Sequence, residues 1–82
     1  MKVLLLHAFP LDERMWEPQL EPLREYDVAA PRLYGSARTI AEMASTVLDE
    51  HEGELVLVGA SLGGYTALEL AHQQPARVRA LV

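Results

Sequence analysis

The stretch LVLVGASLGG, from Leu55 to Gly64, constrains the fold of this chain more than any other segment. Four apolar residues in an unbroken run indicate a strand that is covered on both faces, as in a parallel sheet. Ser61 follows this run and stands between Gly59 and Gly63. A Gly-x-Ser-x-Gly string occurs by chance in about 3% of chains of this length, so its meaning depends on the elements around it. If a helix follows, the serine lies on a tight strand-to-helix turn.

Three further segments are typical of strands. Val3 to Leu6 is a second continuous apolar run, residues 27–30 form a weaker one, and residues 77–82 begin after the break that Pro75 imposes. Helical segments separate these strands. The alternation predicts right-handed crossovers and an α/β fold, a parallel sheet of about four strands with helices on both faces. We expect a single domain over residues 1–82.

The most regular helix is predicted between the second and third strands, where apolar residues fall at i, i+3, i+4, i+7 and i+8 from Ile40. Thr39 and Glu42 form a capping box at its start, in which each side chain binds the backbone amide of the other residue. The first helix is expected to be short or kinked, because Pro18 and Pro22 cannot both occupy a tolerated first-turn position. A third helix is predicted over residues 62–74.

Charge and composition exclude several classes of partner. The net charge is -5, from 12 acidic against 7 basic residues with no basic run, which argues against binding nucleic acid or an anionic membrane. The absence of cysteine excludes a disulfide framework and a thiol nucleophile, and fits a cytoplasmic protein. No apolar segment approaches the roughly 20 residues of a membrane span. The acidic residues beside His51 are too local to suggest a metal site, and we predict neither a metal nor an organic cofactor.

The spacing around Ser61 suits acyl chemistry. A serine on a sharp turn at the carboxyl end of a strand presents its hydroxyl clear of the sheet, and the residues two before and two after it must be small. The helix that begins at Leu62 directs its positive end towards the serine, where an oxyanion would develop. The amide of Leu62 is then one oxyanion donor. The second is expected from the loop after the first strand, at the amide of Phe9, since Pro10 has no N–H.

Four segments together resemble the α/β-hydrolase family, and the resemblance covers nearly all of the chain. LLLHAFP is similar to the family's first strand and its His-Gly loop, and MWEPQLEPL is similar to its first helix. PRLYGSART resembles a Pro-Asp-x-x-Gly-x-Gly turn. The most specific match is LVLVGASLGGYTALELA, which resembles the nucleophile elbow and its helix.

The resemblance implies a serine hydrolase of carboxylic esters or related acyl compounds, similar to small carboxylesterases and enol-lactone hydrolases. It implies Ser61 as the nucleophile, the amides of Phe9 and Leu62 as the oxyanion hole, and a small-molecule ester or acyl substrate. Ala8 stands where the family usually has Gly, and Arg32 where an Asp commonly supports the loop. Ala37 stands where the same turn would have a Gly, so the turn PRLYGSART must be held differently in this chain.

No residue after Ser61 is placed to activate it. The family order is serine, acid, histidine, but Glu69 and His72 lie on one predicted helix that runs away from the turn, and both are predicted to be surface residues. His7 and His51 precede the serine, and for His7 we favour a structural hydrogen-bonding role. We therefore expect the chain to be the N-terminal portion of a longer hydrolase, incomplete by itself, with a sheet edge left open to association.

The turn has two other interpretations. A phosphate-cradling loop is disfavoured, because neither Gly-x-Gly-x-x-Gly nor Gly-Lys-Ser/Thr is present. A complete doubly wound α/β module that binds a ligand without catalysis stays open as the alternative function. The larger aromatic residues are predicted to pack against the fold rather than to contact substrate: Trp16, Tyr26, Tyr34 and Tyr65.

Overall fold

The computed structural model describes residues 1–82. The strands are β1 (Lys2–Leu6), β2 (Val28–Ala29), β3 (Leu55–Gly59) and β4 (Val78–Leu81), and the helices are α1 (Glu17–Leu20), α2 (Ile40–Glu50) and α3 (Leu62–Gln73). Short 3-10 turns precede α1, at Glu13–Trp16, and β4, at Pro75–Arg77. The predicted order of strands and helices is confirmed, and the first helix is short, as its prolines require.

All neighbouring strands pair in parallel, in the order β2-β1-β3-β4. β1 and β3 form the centre of the sheet, with Lys2 opposite Leu55 and Leu6 opposite Gly59. Chain crossovers to β3 and β4 run in one direction and the crossover to β2 runs in the other. Because such crossovers are right-handed, α2 and α3 lie on one face and α1 on the opposite face. The predicted fold class is therefore confirmed.

The core lies between one face of the central strands and the pair α2 and α3, which pack against each other. Alternate residues of each central strand point into it, since side chains alternate between the two faces of a strand. Its ten members are Leu4, Leu6, Leu33, Leu55, Leu57, Ala44, Val47, Leu48, Ala67 and Leu70. On the other face Leu5 is buried, whereas Val3, Val56 and Val58 are only half buried. The expectation that both faces are fully covered is thus met on the α2–α3 side alone.

The start of α2 departs from the prediction in one bond. The hydroxyl of Thr39 accepts from the amide of Glu42 at 3.1 Å, as expected. The carboxylate of Glu42 accepts from the amide of Arg38 at 3.1 Å, not from that of Thr39. The reciprocal capping box is therefore wrong in its second half, although both bonds satisfy amides near the helix start.

The last strand begins one residue later than predicted because Arg77 belongs to the preceding turn. Its guanidinium donates to the carbonyls of Leu48, His51 and Gly53, which tie this turn to the end of α2. Beyond β4 the ladder continues, with Val82 donating to Leu57 at 2.8 Å. β4 is an edge strand, and its residues from Arg79 onwards are exposed.

None of the helices combines the length and the apolar character needed to traverse a bilayer.

Candidate active site

Ser61 is held in a strained backbone conformation at the junction of β3 and α3. Its φ of 54° and ψ of -112° lie where residues with a side chain are rarely found, at a cost of about 1–3 kcal/mol. Adjacent hydrogen bonds fix the turn: the amide of Ala60 donates to Leu6, that of Gly63 to Ala60, and that of Tyr65 to the carbonyl of Ser61. The sheet and the helix together therefore impose this conformation.

The two glycines of the motif are required by close backbone approaches. A Cβ on Gly59 would lie 2.5 Å from the carbonyl oxygen of Gly63, and a Cβ on Gly63 would lie 2.0 Å from that of Leu6. Real Cβ atoms essentially never lie within 3.0 Å of a backbone atom, because the two atoms would overlap. Close contacts within the turn and with β1 are therefore the reason why the residues on either side of Ser61 must be small.

The hydroxyl of Ser61 makes no hydrogen bond within the chain, although serine at the start of a helix commonly accepts from a first-turn amide. The side chain is exposed. It stands at the amino end of α3, whose first turn contains no acidic residue to offset the positive end of the helix dipole. The hydroxyl oxygen of Ser61 is thus free to react, and the dipole of α3 favours negative charge at this position.

The two predicted oxyanion amides follow neighbouring strands. Leu62 is the first residue of α3, so its amide has no partner within the helix. Phe9 follows β1, which is paired in register with β3, and its amide has no partner among the chain's backbone carbonyls. The start of α3 touches the end of β1, because the carbonyls of Leu6 and His7 surround Gly63. Both free amides therefore lie at the same edge of the sheet.

His7 is fully buried and bonded at both ring nitrogens. Nε2 accepts from the amide of Leu33 at 2.9 Å, and Nδ1 lies 3.1 Å from the carbonyl of Ala8, which assigns the neutral tautomer with the proton on Nδ1. This arrangement agrees with the structural role expected from the sequence. It also leaves no free nitrogen to accept a proton from a serine.

We expect His7→Leu to lower the free energy of unfolding by about 1–3 kcal/mol, because the amide of Leu33 would lose its acceptor in the interior. Chemical denaturation of the full-length protein measures this change. The matched control is His72→Leu, an exposed position where we expect less than about 0.5 kcal/mol. Equal effects at the two positions would contradict the assigned bond.

The other two histidines lie far from Ser61. His72 is exposed on α3, ten residues beyond Leu62, which places it roughly 15 Å along the helix axis. His51 ends α2 and precedes the opposite end of β3, whose five residues span roughly 15 Å. Burial lowers the pKa of His51. Glu69, expected at the surface, is half buried and accepts from Gln73 at 3.0 Å, which corrects that prediction.

Asp12, in the loop after β1, is no substitute for a histidine base. Hydrogen bonds from the Arg14 side chain lower the pKa of Asp12 to about 2, and the bond from the backbone amide of Arg14 adds to this effect. A carboxylate that releases its proton so readily is a poor base near neutral pH. Residues 1–82 thus bring a serine hydroxyl and two backbone amides to one edge of the sheet without a base.

Aromatic packing was predicted correctly for only part of the set. Trp16 and Tyr34 are half buried, but Tyr26 is 63% exposed and Tyr65 is 65% exposed. Tyr65 lines an open groove of about 380 Å³ together with Ser61, Leu68, Leu81 and Val82, among others. The groove is mainly apolar because these side chains emerge from α3 and β4 beside the turn.

Sequence reasoning missed the residues that hold the loop after β1. Tyr34 donates its hydroxyl to the carbonyl of Leu11, and the amide of Ala8 donates to the sulfur of Met15 at 3.2 Å. Neither contact has a signal in the sequence, because each joins loop positions that only the tertiary fold brings together.

The strained serine lies on the turn between a strand and a helix, at the carboxyl edge of a parallel sheet. This is the geometry of the nucleophile elbow in α/β folds. Residues 3–82 match the alpha/beta hydrolase family. The chain belongs to that family.

Individual relatives support the same assignment. The chain is 32% identical to lipase LipV of Mycobacterium tuberculosis, over 99% of this chain and 35% of the lipase. It is 30% identical to a pimeloyl-[acyl-carrier protein] methyl ester esterase of Legionella pneumophila, over 100% of this chain and 36% of the esterase. The solved structure of a thermophilic esterase from Thermogutta terrifontis, with malate bound, superposes with a TM-score of 0.82 at 35% identity, over 99% of this chain and 35% of the esterase. The chain thus spans about a third of the length of these proteins.

Proposed function

We propose that this chain provides the nucleophile and the oxyanion hole of a serine esterase that cleaves small carboxylic esters. The observation that carries the proposal is the conformation of Ser61, whose unbonded hydroxyl is held out at the amino end of α3. A strained residue persists only where its surroundings impose it, and such residues cluster at functional sites. Relatives that are named as a lipase and as methyl ester esterases support ester hydrolysis as the reaction.

In the proposed reaction, Ser61 Oγ attacks the ester carbonyl carbon while its proton passes to a base. The carbonyl oxygen becomes an oxyanion, which accepts hydrogen bonds from the amides of Leu62 and Phe9. Collapse of this intermediate expels the alcohol, protonated by the same base, and leaves an acyl group on Ser61. Water, deprotonated by the base, then releases the acid and restores the serine.

The proposal requires a histidine and an acid from outside these 82 residues. His7 has no free ring nitrogen, and His51 and His72 lie at the far ends of β3 and α3. A serine without a base is a weak nucleophile. The 82 residues alone should therefore hydrolyse esters at trace rates at most, and a turnover typical of esterases that depends on Ser61 would contradict this part of the proposal.

The groove beside Ser61 supports an apolar substrate group. It is open and about 380 Å³ in volume, and Tyr65, Leu68, Leu81 and Val82 contribute apolar surface to it. No lysine or arginine is among the residues that line it. The exposed side chains of Tyr65 and Leu68, both on α3 beside Ser61, thus suit an apolar ester group.

The decisive experiment treats the full-length protein with a fluorophosphonate probe and locates the adduct by mass spectrometry of the digested protein. We expect one modified peptide, with the phosphonate on Ser61. The proposed reaction needs only an ester substrate and water, and it uses no metal or organic cofactor. An unlabelled but folded protein would favour the alternative, a non-catalytic α/β binding module.

A further inference from the structure

The loop of residues 7–12 carries the Phe9 amide on which the proposed oxyanion hole depends. Its central residues Phe9, Pro10 and Leu11 are exposed and belong to no helix or strand. An amide on such a loop stabilises an oxyanion only if neighbouring groups hold it in one orientation. Contacts from a neighbouring side chain can supply this restraint on the Phe9 amide.

Tyr34 contacts the loop at three places. Its hydroxyl donates to the carbonyl of Leu11, near the end of the loop. Its ring meets the ring of Phe9 edge to face, with centroids 6.4 Å apart and an interplanar angle of 89°. It also meets His7, at the start of the loop, with centroids 4.8 Å apart and an angle of 61°. Such edge contacts are favourable for aromatic pairs.

Tyr34 is itself fixed from its other side. The guanidinium carbon of Arg32 lies 5.7 Å from the centre of the Tyr34 ring, within the range of a cation–π interaction. Arg32 also lies 3.9 Å from the carboxylate of Glu13. The adjacent residue, Leu33, donates its amide to His7 at 2.9 Å, so the segment that carries Tyr34 is anchored to the end of β1.

We propose that Tyr34 is a positioning residue that holds the loop of residues 7–12 so that the Phe9 amide points at the oxyanion formed on Ser61. This inference rests on the proposed function. Tyr34 does not touch the reacting atoms, and its loss should therefore lower kcat and leave KM nearly unchanged.

The test compares Tyr34→Phe and Tyr34→Ala in the full-length protein, with a neutral ester such as p-nitrophenyl butyrate as substrate. Phe keeps the ring and removes the hydroxyl, and we expect kcat to fall roughly 3- to 10-fold with KM within about 2-fold of the wild type. Ala removes every contact, and we expect a fall of roughly 30-fold or more. Tyr26→Phe is the matched control, because Tyr26 is 63% exposed and its amide bonds to Leu23 rather than to this loop, and the kcat of this variant should be unchanged.

A second readout follows the loop without reference to activity. Selective 15N labelling of phenylalanine, with Phe9→Leu to assign the signal, reports the environment of the Phe9 amide. The signal should move in Tyr34→Phe and stay in place in Tyr26→Phe. If Tyr34→Ala does not fold, Tyr34→Phe alone decides the matter.

The outcomes separate this inference from the proposed function. Ester hydrolysis that persists in Ser61→Ala would contradict both the proposed function and the role of Tyr34. Hydrolysis that depends on Ser61 but keeps its full kcat in Tyr34→Phe would overturn only the role of Tyr34. A fall in kcat with an unmoved Phe9 signal, or a rise in KM of the same size, would also overturn it.

Discussion

Replacing Ser61 by alanine in the full-length protein should lower kcat for ester hydrolysis by about 10⁴-fold or more, because no other group in the turn can form the acyl intermediate. KM should change little, since the hydroxyl is exposed and makes no bond that shapes the groove. Steady-state kinetics on a neutral ester measure both constants. Labelling by a fluorophosphonate should disappear in the same variant.

The matched control for this loss is Ser45→Ala. Ser45 is exposed on α2 and donates to Gln73 at 3.1 Å, on the surface between the two helices. Its removal should leave kcat within about 2-fold of the wild type. Thermal unfolding of both variants should stay close to that of the wild type. Hydrolysis by folded Ser61→Ala at the wild-type rate would show that the serine is not the nucleophile.

The second large effect concerns stability. Gly63→Ala should lower the free energy of unfolding by at least about 3 kcal/mol, or prevent folding, because its Cβ would lie 2.0 Å from the oxygen and 2.4 Å from the carbon of the Leu6 carbonyl. The carbonyl oxygen of His7 would lie 2.9 Å away. These atoms are backbone at the end of a central strand, so no flexible side chain can move to relieve the clash.

Gly64→Ala provides the comparison at the next residue. A Cβ there would meet only the carbonyl of Gly59, at 3.7 Å from its oxygen, which is an ordinary contact. Alanine in a helix is favoured over glycine by up to about 1 kcal/mol, so this variant should be as stable as the wild type or slightly more so. Denaturant unfolding distinguishes the two variants. Similar stability of Gly63→Ala and Gly64→Ala would contradict the close approach of α3 to β1.

Local signals in the sequence were sufficient to predict the strands, the helices and the turn at Ser61. The apolar run before Gly59 and the proline-free segment after Ser61 specify a strand and a helix by short-range physics, and both elements lie where they were predicted. The same reasoning located the end of β1, and with it the loop that contains Phe9. A strand-to-helix turn is a local feature, so it can be predicted from a short segment.

The contacts that the sequence does not reveal join partners that are distant in sequence. The structural role of His7 was expected from its place, but its partner, the amide of Leu33, lies 26 residues away. Tyr34 and Leu11 are 23 residues apart, and their bond depends on how two loops meet at one edge. Arg77 was assigned to a strand, yet its bonds to the end of α2 keep it in the preceding turn. No pattern within either segment encodes such contacts.

The register of the central strands also governs when the proposed catalytic edge can form during synthesis. β1 can pair first with β2, but Lys2 lies opposite Leu55, so its second partner is translated roughly fifty residues later. The loop with Phe9 follows one of these strands and the turn with Ser61 follows the other. The two amides of the proposed oxyanion hole therefore come to one edge of the sheet only when β3 pairs with β1. A nascent chain that ends before Gly59 lacks the Ser61 turn, and its Phe9 loop has no counterpart at that edge.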